Sequence, residues 1–260
     1  MIFYSSGTGN SWWVANRLAE ELNERVTSIT SILNGNEQQF SYEANETEEV
    51  ILLFPIHSWG PPELINRFVR QLTLTGKKSV WAVATCGDEC GMTDRILKRE
   101  LASRGIELKG CFSVVMPNNY ILMRGFGTDS KALEQRKLSE APERIARIAE
   151  AIRNRVPDAS LYDTGTFRRV KSQLIYPLFI RYSIGSSAFH ATDKCVGCGI
   201  CQKLCPTRNI TMIHKEPVWS KDCVQCTACI HRCPFRAIEY GNVTRKMGRY
   251  VHPELPASYK

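Results

Sequence analysis

Eight cysteines in two runs hold the clearest chemistry in this chain. Cys195, Cys198, Cys201 and Cys205 precede Pro206, and Cys223, Cys226, Cys229 and Cys233 precede Pro234. Both runs read C-x2-C-x2-C-x3-C-P, a spacing that holds iron–sulfur clusters. The second copy lies 28 residues after the first at every cysteine, and Arg208/Arg236 and Ile210/Ile238 keep the same offset. Thiolate is a soft ligand suited to iron. In such a run three cysteines wrap one cube and the fourth swings to the other. The spacing therefore assigns Cys195, Cys198, Cys201 and Cys233 to one [4Fe–4S] cluster. Cys223, Cys226, Cys229 and Cys205 fall to a second. Pro206 and Pro234 turn the chain and remove a backbone donor. Gly197 and Gly199 allow the backbone to approach sulfide closely. Zinc also uses C-x2-C pairs, but it does not need four cysteines per run, twice. Two clusters imply that electrons move.

Residues 186–242 resemble the bacterial two-cluster ferredoxin domain. The resemblance implies a small α+β module with pseudo-twofold symmetry and both clusters in tunnelling contact.

A second chemical signal stands near the amino terminus. Ser5-Ser6-Gly7-Thr8-Gly9-Asn10-Ser11 lies between an apolar run and a helical pattern. Such a loop turns N–H groups and hydroxyls toward an anion at a positive helix end. It has no lysine and is not G-x-G-x-x-G, so neither an ATPase loop nor a dinucleotide loop fits. Ser6 to Ser11 instead resemble the flavodoxin phosphate loop, [ST]-x-T-G-x-[ST]. That resemblance implies FMN, with its phosphate on Ser6, Gly7, Thr8, Gly9, Asn10 and Ser11. A capped Ser/Gly turn without a ligand is the plainer reading.

Ligands in such folds sit beyond the carboxyl ends of the strands. By the same resemblance, Pro55, His57, Ser58, Trp59 and Gly60 follow one strand and clasp the flavin ring. Thr85, Cys86, Gly87 and Asp88 follow the next and do the same. Trp59 either stacks on the ring or packs; Gly60 and Gly87 admit backbone to its edge. His57 either tunes the flavin or is structural. Asn118, Asn119 and Tyr120 face the ring or cap a strand. Cys86 and Cys90 read as small buried residues rather than a redox pair, and Cys111 as core. Trp12 and Trp13 pack helix one or line a docking surface.

These residues need elements to position them. Ile2–Tyr4, a weaker Val26–Ile29, Val50–Phe54, Ser79–Thr85 and Cys111–Met116 read as five strands. Helices are expected from Asn10 or Ser11, after Pro61-Pro62, over Met92–Arg104 and over Lys131–Arg153, where Pro142 is a candidate break. The pattern predicts an α/β fold, a flavodoxin-like doubly wound parallel sheet of order 2-1-3-4-5, joined to the small ferredoxin module. The expected division is 1–153 for the flavin domain, 154–185 for a connector, 186–242 for the cluster domain and 243–260 for a tail. The connector reads as part helix docked between the domains, with a membrane-surface helix as the sharper alternative. The tail wraps over one domain or frays.

The net charge is +8 over 260 residues, but it is uneven. Residues 1–153 carry 18 basic and 19 acidic groups, whereas residues 186–260 carry 11 and 5. Ligating cysteines are thiolates, so that excess reads as compensation for buried cluster charge. No basic stripe interleaved with aromatics exists, and nucleic acid is not an expected partner. The near-neutral first domain lacks the acidic surface of stand-alone flavodoxins. Met1–Tyr4 has no basic n-region, so no signal peptide is expected, and no apolar run is long enough to span a membrane. Eleven cysteines, eight of them in such motifs, suit a reducing cytoplasm. The expectation is an electron-transfer protein linking FMN, two [4Fe–4S] clusters and a redox protein partner, such as another ferredoxin, a flavoprotein or a reductase. The alternative is a flavoenzyme that reduces a quinone, nitro compound or disulfide.

Overall fold

The computed structural model describes residues 1–35 and 39–256. Apolar, β-branched runs bounded by turns form strands here, and amphipathic stretches close them with helices. The chain runs β1 (Ile2–Tyr4), α1 (Asn10–Leu22), β2 (Val26–Ser28), α2 (Ile29–Leu33), β3 (Phe40–Ala44), β4 (Val50–Pro55), α3 (Glu63–Gln71) and β5 (Leu72–Gly76). It continues with β6 (Ser79–Cys86), α4 (Thr93–Ala102), β7 (Glu107–Val115) and α5 (Lys131–Arg153). Five strands form one parallel sheet in the order β2-β1-β4-β6-β7. Counted within the sheet, that is 2-1-3-4-5, as the pattern predicts.

Alternate residues of each strand feed opposite faces. Phe3, Leu52, Phe54, Ala82 and Ala84 pack under α3 and α4 with Ile65, Phe68 and Leu97. Ile2, Ile51, Leu53, Trp81 and Val83 pack under α1 and α5 with Val14, Leu18, Ile145 and Ile148. Phe68 is fully buried, its ring 5.5 Å from Phe3 and 5.8 Å from Phe40. Phe68→Ala should cost about 3–5 kcal/mol, read as a lower urea midpoint at unchanged slope.

Three local expectations are corrected. Helix α1 begins at Asn10, but its cap is Gly9 in the left-handed region at φ 104°, not Asn10 or Ser11. Pro142 does not break α5. The lost hydrogen bond is outweighed by burial of Ala141, Ile145, Ile148 and Ile152 along one face. β3 and β5 form an extra parallel pair against the first core face.

Residues 168–183 form one continuous helical segment in which α and π turns alternate. The rest of the chain adds β8 (Phe189–Ala191), β9 (Ile210–Ile213), β10 (Glu216–Trp219) and β11 (Ile238–Tyr240), paired as two antiparallel ribbons, β10-β9 and β11-β8. The 28-residue repeat is visible in the backbone. Gly197 and Gln225, Gly199 and Thr227, and Arg208 and Arg236 all take left-handed φ. Among the described residues, no helix is long and apolar enough to cross a membrane.

The two halves are tied together. Ile121 and Leu122 share a core with Phe189, Ile230 and Ile238. Arg67 donates both terminal nitrogens to Asp222, at 2.9 and 2.7 Å.

Candidate redox site

The carboxyl ends of β1, β4, β6 and β7 open onto a cavity of about 700 Å³. The amino-terminal loop forms its floor. The first-turn N–H groups of α1 have no acceptor within the helix, and Gly9 offers no side-chain cap. The surrounding loops hold this cradle in place. Ser11 Oγ and Thr85 Oγ1 are 2.7 Å apart. Asn119 Nδ2 donates to Thr8 Oγ1 at 2.6 Å, and Asn10 Nδ2 donates to the Pro117 carbonyl at 3.0 Å. The tail also reaches the loop: Tyr250 Oη donates to Asn10 Oδ1 at 2.7 Å and His252 N to the Thr8 carbonyl at 2.9 Å. The arrangement suits a phosphate held by backbone N–H groups without a basic side chain.

Ser6, Gly7, Thr8, Asn10, Ser11, Pro55, His57, Ser58, Trp59, Thr85, Cys86, Gly87 and Asp88 all line the cavity. Gly9 and Gly60 do not. A Cβ on Gly9 would press on His252 at 2.8 Å and one on Gly60 would overlap the Tyr176 ring, so the α-carbon of each faces protein there. Trp59 lines the wall, with its indole N–H donating to Glu89 at 3.0 Å. Lys171 stands 5.2 Å over its ring and is ion-paired to Glu89. Asn118, Asn119 and Tyr120 also reach the cavity.

His57 is half-buried, and its Nδ1, shielded from solvent, has no partner among the described residues. Burial pushes its pKa down to about 4, so it is neutral near pH 7 and a poor acid. Cys86 and Cys90 lie in the first core face. A hydrogen bond with Cys86, then burial, raises the Cys90 thiol well above its ordinary value. Burial likewise raises Cys111. Thiols so shifted are protonated and suit packing rather than attack.

Sequence reasoning did not place the outer wall. It comes from the connector, through Ile175, Leu178, Phe179 and Tyr182, and from the cluster region, through Gln225, Cys226 and Thr227. The connector is pinned on its inner side. Ser172 Oγ donates to the Trp59 carbonyl and Tyr176 Oη to the Pro61 carbonyl, both at 2.8 Å.

The eight motif cysteines separate into two sets. Cys195, Cys198, Cys201 and Cys233 surround one small apolar cavity. Cys205, Cys223, Cys226 and Cys229 surround another. Among the described residues, no three His, Cys, Asp or Glu side chains converge closely enough for a single metal ion. Four thiols spread around a void suit a multi-iron cluster better than a lone zinc. Backbone N–H groups point at sulfur in both copies: Asn209 N to Cys205 at 3.2 Å and Ala237 N to Cys233 at 3.3 Å. Such bonds orient thiolate ligands and moderate their charge. Burial pushes Cys201 and Cys223 up to about 11 and Cys226 up to about 12, so metal must displace the thiol protons.

Cys226 and Thr227 line both the second cysteine cavity and the large one. Gly7 touches the Cys226 carbonyl so closely that a Cβ there would overlap it. His231 bridges the same seam. It accepts from Tyr250 N at Nδ1 (3.0 Å), so Nε2 carries the proton and donates to the Asn119 carbonyl at 2.6 Å.

The tail histidine gives a pH prediction. His252 is 1 % exposed, its Nε2 has no partner among the described residues, and burial pushes its pKa from 6.5 down to about 4. The unfolded chain therefore binds a proton that the fold refuses. Stability is full above about pH 6.5 and falls as pH drops toward 4, by at most about 3 kcal/mol from this residue. Urea midpoints across that range should show the fall, and His252→Gln should flatten part of it.

A doubly wound sheet with a phosphate cradle, joined to two four-cysteine cages, defines a flavin and iron–sulfur redox protein class. The flavodoxin domain family matches residues 1–110, and the 4Fe-4S dicluster domain family matches residues 194–238. The chain is thus a flavodoxin domain followed by a 4Fe-4S dicluster domain, a flavodoxin–ferredoxin fusion, and these domains indicate redox electron transfer. No curated protein matches the chain. Similar solved structures include the Trp repressor binding protein from Bacillus subtilis (13% identity, 56% of this chain and 96% of that one, TM-score 0.34). The NAD(P)H:quinone oxidoreductase from Methanothermobacter marburgensis has 10% identity, 56% and 94% coverage and a TM-score of 0.35. The azoreductase AzrA has 8% identity, 57% and 98% coverage and a TM-score of 0.34. Likeness of this degree says nothing about activity.

Proposed function

We propose that this chain passes electrons between FMN in the large cavity, two [4Fe–4S] clusters in the cysteine cages, and an external redox protein. One observation carries the reading: Cys226 is at once a wall of the large cavity and a member of the second cage. A flavin there would stand one side chain from a cluster. FMN supplies an exchange between paired and single electrons, and each cluster takes one.

The residues divide the work. Ser6, Gly7, Thr8, Asn10 and Ser11 anchor the phosphate through backbone N–H groups, while the Gly9 N–H is taken by Ser6 Oγ. Pro55, Ser58, Trp59, Thr85, Cys86, Gly87 and Asp88 enclose the ring, and neutral His57 adds no charge beside it. Cys205, Cys223, Cys226 and Cys229 hold the near cluster; Cys195, Cys198, Cys201 and Cys233 hold the far one. The far cluster is the outlet, because Cys198 is exposed. Fusion gives the two centres a high effective concentration for each other. Residues 1–153, 154–185, 186–242 and 243–260 are the corresponding units. Unpaired thiols throughout suit a reducing cytoplasm.

Anaerobic purification with iron, sulfide and flavin analysis tests this. The expected content is about eight irons, about eight sulfides and about one FMN. Zinc in place of iron, or no flavin, would contradict it.

A flavoenzyme reading is favoured by the outer half of the cavity, where Met123, Phe126, Leu178 and Tyr182 add apolar walls beyond the flavodoxin loops. A volume of about 700 Å³ lies in the range of sites that take whole small molecules. Saturable oxidation of the reduced holoprotein by a quinone or nitro compound would support it; purely collisional oxidation would not.

A further inference from the structure

The outer face of residues 168–183 is apolar and largely exposed among the described residues. Val170, Leu174, Leu178 and Tyr182 follow a four-residue step, which mixed α and π turns keep on one side. They are exposed by 50, 57, 48 and 70 %, and Phe167 at the start of the stripe by 80 %. Solvent-facing rows of this kind mark interaction sites.

Two further observations say what covers the stripe. Between Thr164 and Gly185 the chain carries Arg168, Arg169, Lys171 and Arg181 and no acidic residue. Lys171 turns inward to Glu89, leaving three arginines along an apolar stripe. A basic amphipathic helix of this make-up lies on membrane surfaces. The stripe also continues into the mouth of the large cavity. Leu178, Tyr182, Met123 and Phe126 are at once exposed and cavity-lining. Arg124 sits between the last two, and Asp88 on the rim is 3.7 Å from Lys137.

We propose that the connector helix docks this protein on an anionic lipid surface, with the mouth of the large cavity against the bilayer. The apolar stripe enters the headgroup boundary and Arg168, Arg169 and Arg181 engage lipid phosphates. The inference stands on the surface alone and does not require any occupant of the cavity. It names a peripheral contact, in keeping with the lack of a spanning helix among the described residues.

The test is sedimentation of the full chain with vesicles of phosphatidylcholine alone and of phosphatidylcholine mixed equally with phosphatidylglycerol. The expected result is partition onto the mixed vesicles, weakened by salt. Phe167→Glu with Leu174→Glu should abolish it. Arg168→Glu with Arg169→Glu should lower it about tenfold or more. These side chains are exposed and do not line the cavity, so flavin content and circular dichroism should be unchanged. Absence of partition, or partition that survives both double variants, would overturn the proposal. So would self-association of the chain that the same variants abolish, because a second copy would then be the occupant.

Discussion

Cys226→Ala should yield a protein that keeps its flavin but loses about half its iron and the fast link between its redox centres. Cys226 is the cage cysteine that also lines the large cavity. Its removal leaves the second cage with three thiols, while the first cage keeps its four cysteines. The phosphate cradle at Ser6–Ser11 draws no side chain from this position, so FMN content should hold. Iron and sulfide analysis beside flavin content reads the first part; anaerobic stopped-flow reduction reads the second. Cys198→Ala is the matched control. It should also cost about half the iron but leave exchange between the flavin and the near cluster intact.

Gly7→Ala is expected to act on the same seam without touching a cysteine. The added methyl would overlap the Cys226 carbonyl, a backbone atom that has no rotamer with which to yield. Relief requires the cluster loop to move away from the phosphate loop. Overpacking of this kind costs about 1–3 kcal/mol, a fall of about 2–12 °C in Tm for a chain near this size. The larger consequence is functional. Both cofactors should still load, but exchange between them should slow, because the distance between their pockets grows. Gly127→Ala, with nothing within 4 Å of its added Cβ, should change neither quantity.

The site was legible in the sequence wherever chemistry is carried by short spacing. Both cysteine runs and the loop at Ser6–Ser11 are local, and their residue types leave few alternatives. The sheet order was also legible, because five apolar runs alternate with helical stretches. What could not be read is what meets across the chain. Gly60 looked like an approach to the flavin, but Tyr176 fills that space. Tyr250 reaches Asn10, and His231 reaches Asn119, across more than a hundred residues. No periodicity marks such partners. The strands β3 and β5 did carry a signal: Phe40, Tyr42 and Ala44, and Leu72 and Leu74, alternate with polar residues. The connector reads only as part helix, since apolar residues on both faces of residues 168–183 blur the stripe and Pro177 argues against a helix, although this stretch is helical throughout.

The central claim is that the two domains work as one wire through the seam at Cys226. The most direct measurement is anaerobic stopped flow on the loaded protein. The clusters are reduced by a one-electron donor, and flavin absorbance is followed over a range of protein concentrations. The account predicts a first-order change whose rate is independent of protein concentration and is lost in Cys226→Ala. A rate that rises in proportion to concentration, or one that Cys226→Ala leaves unchanged, would contradict it.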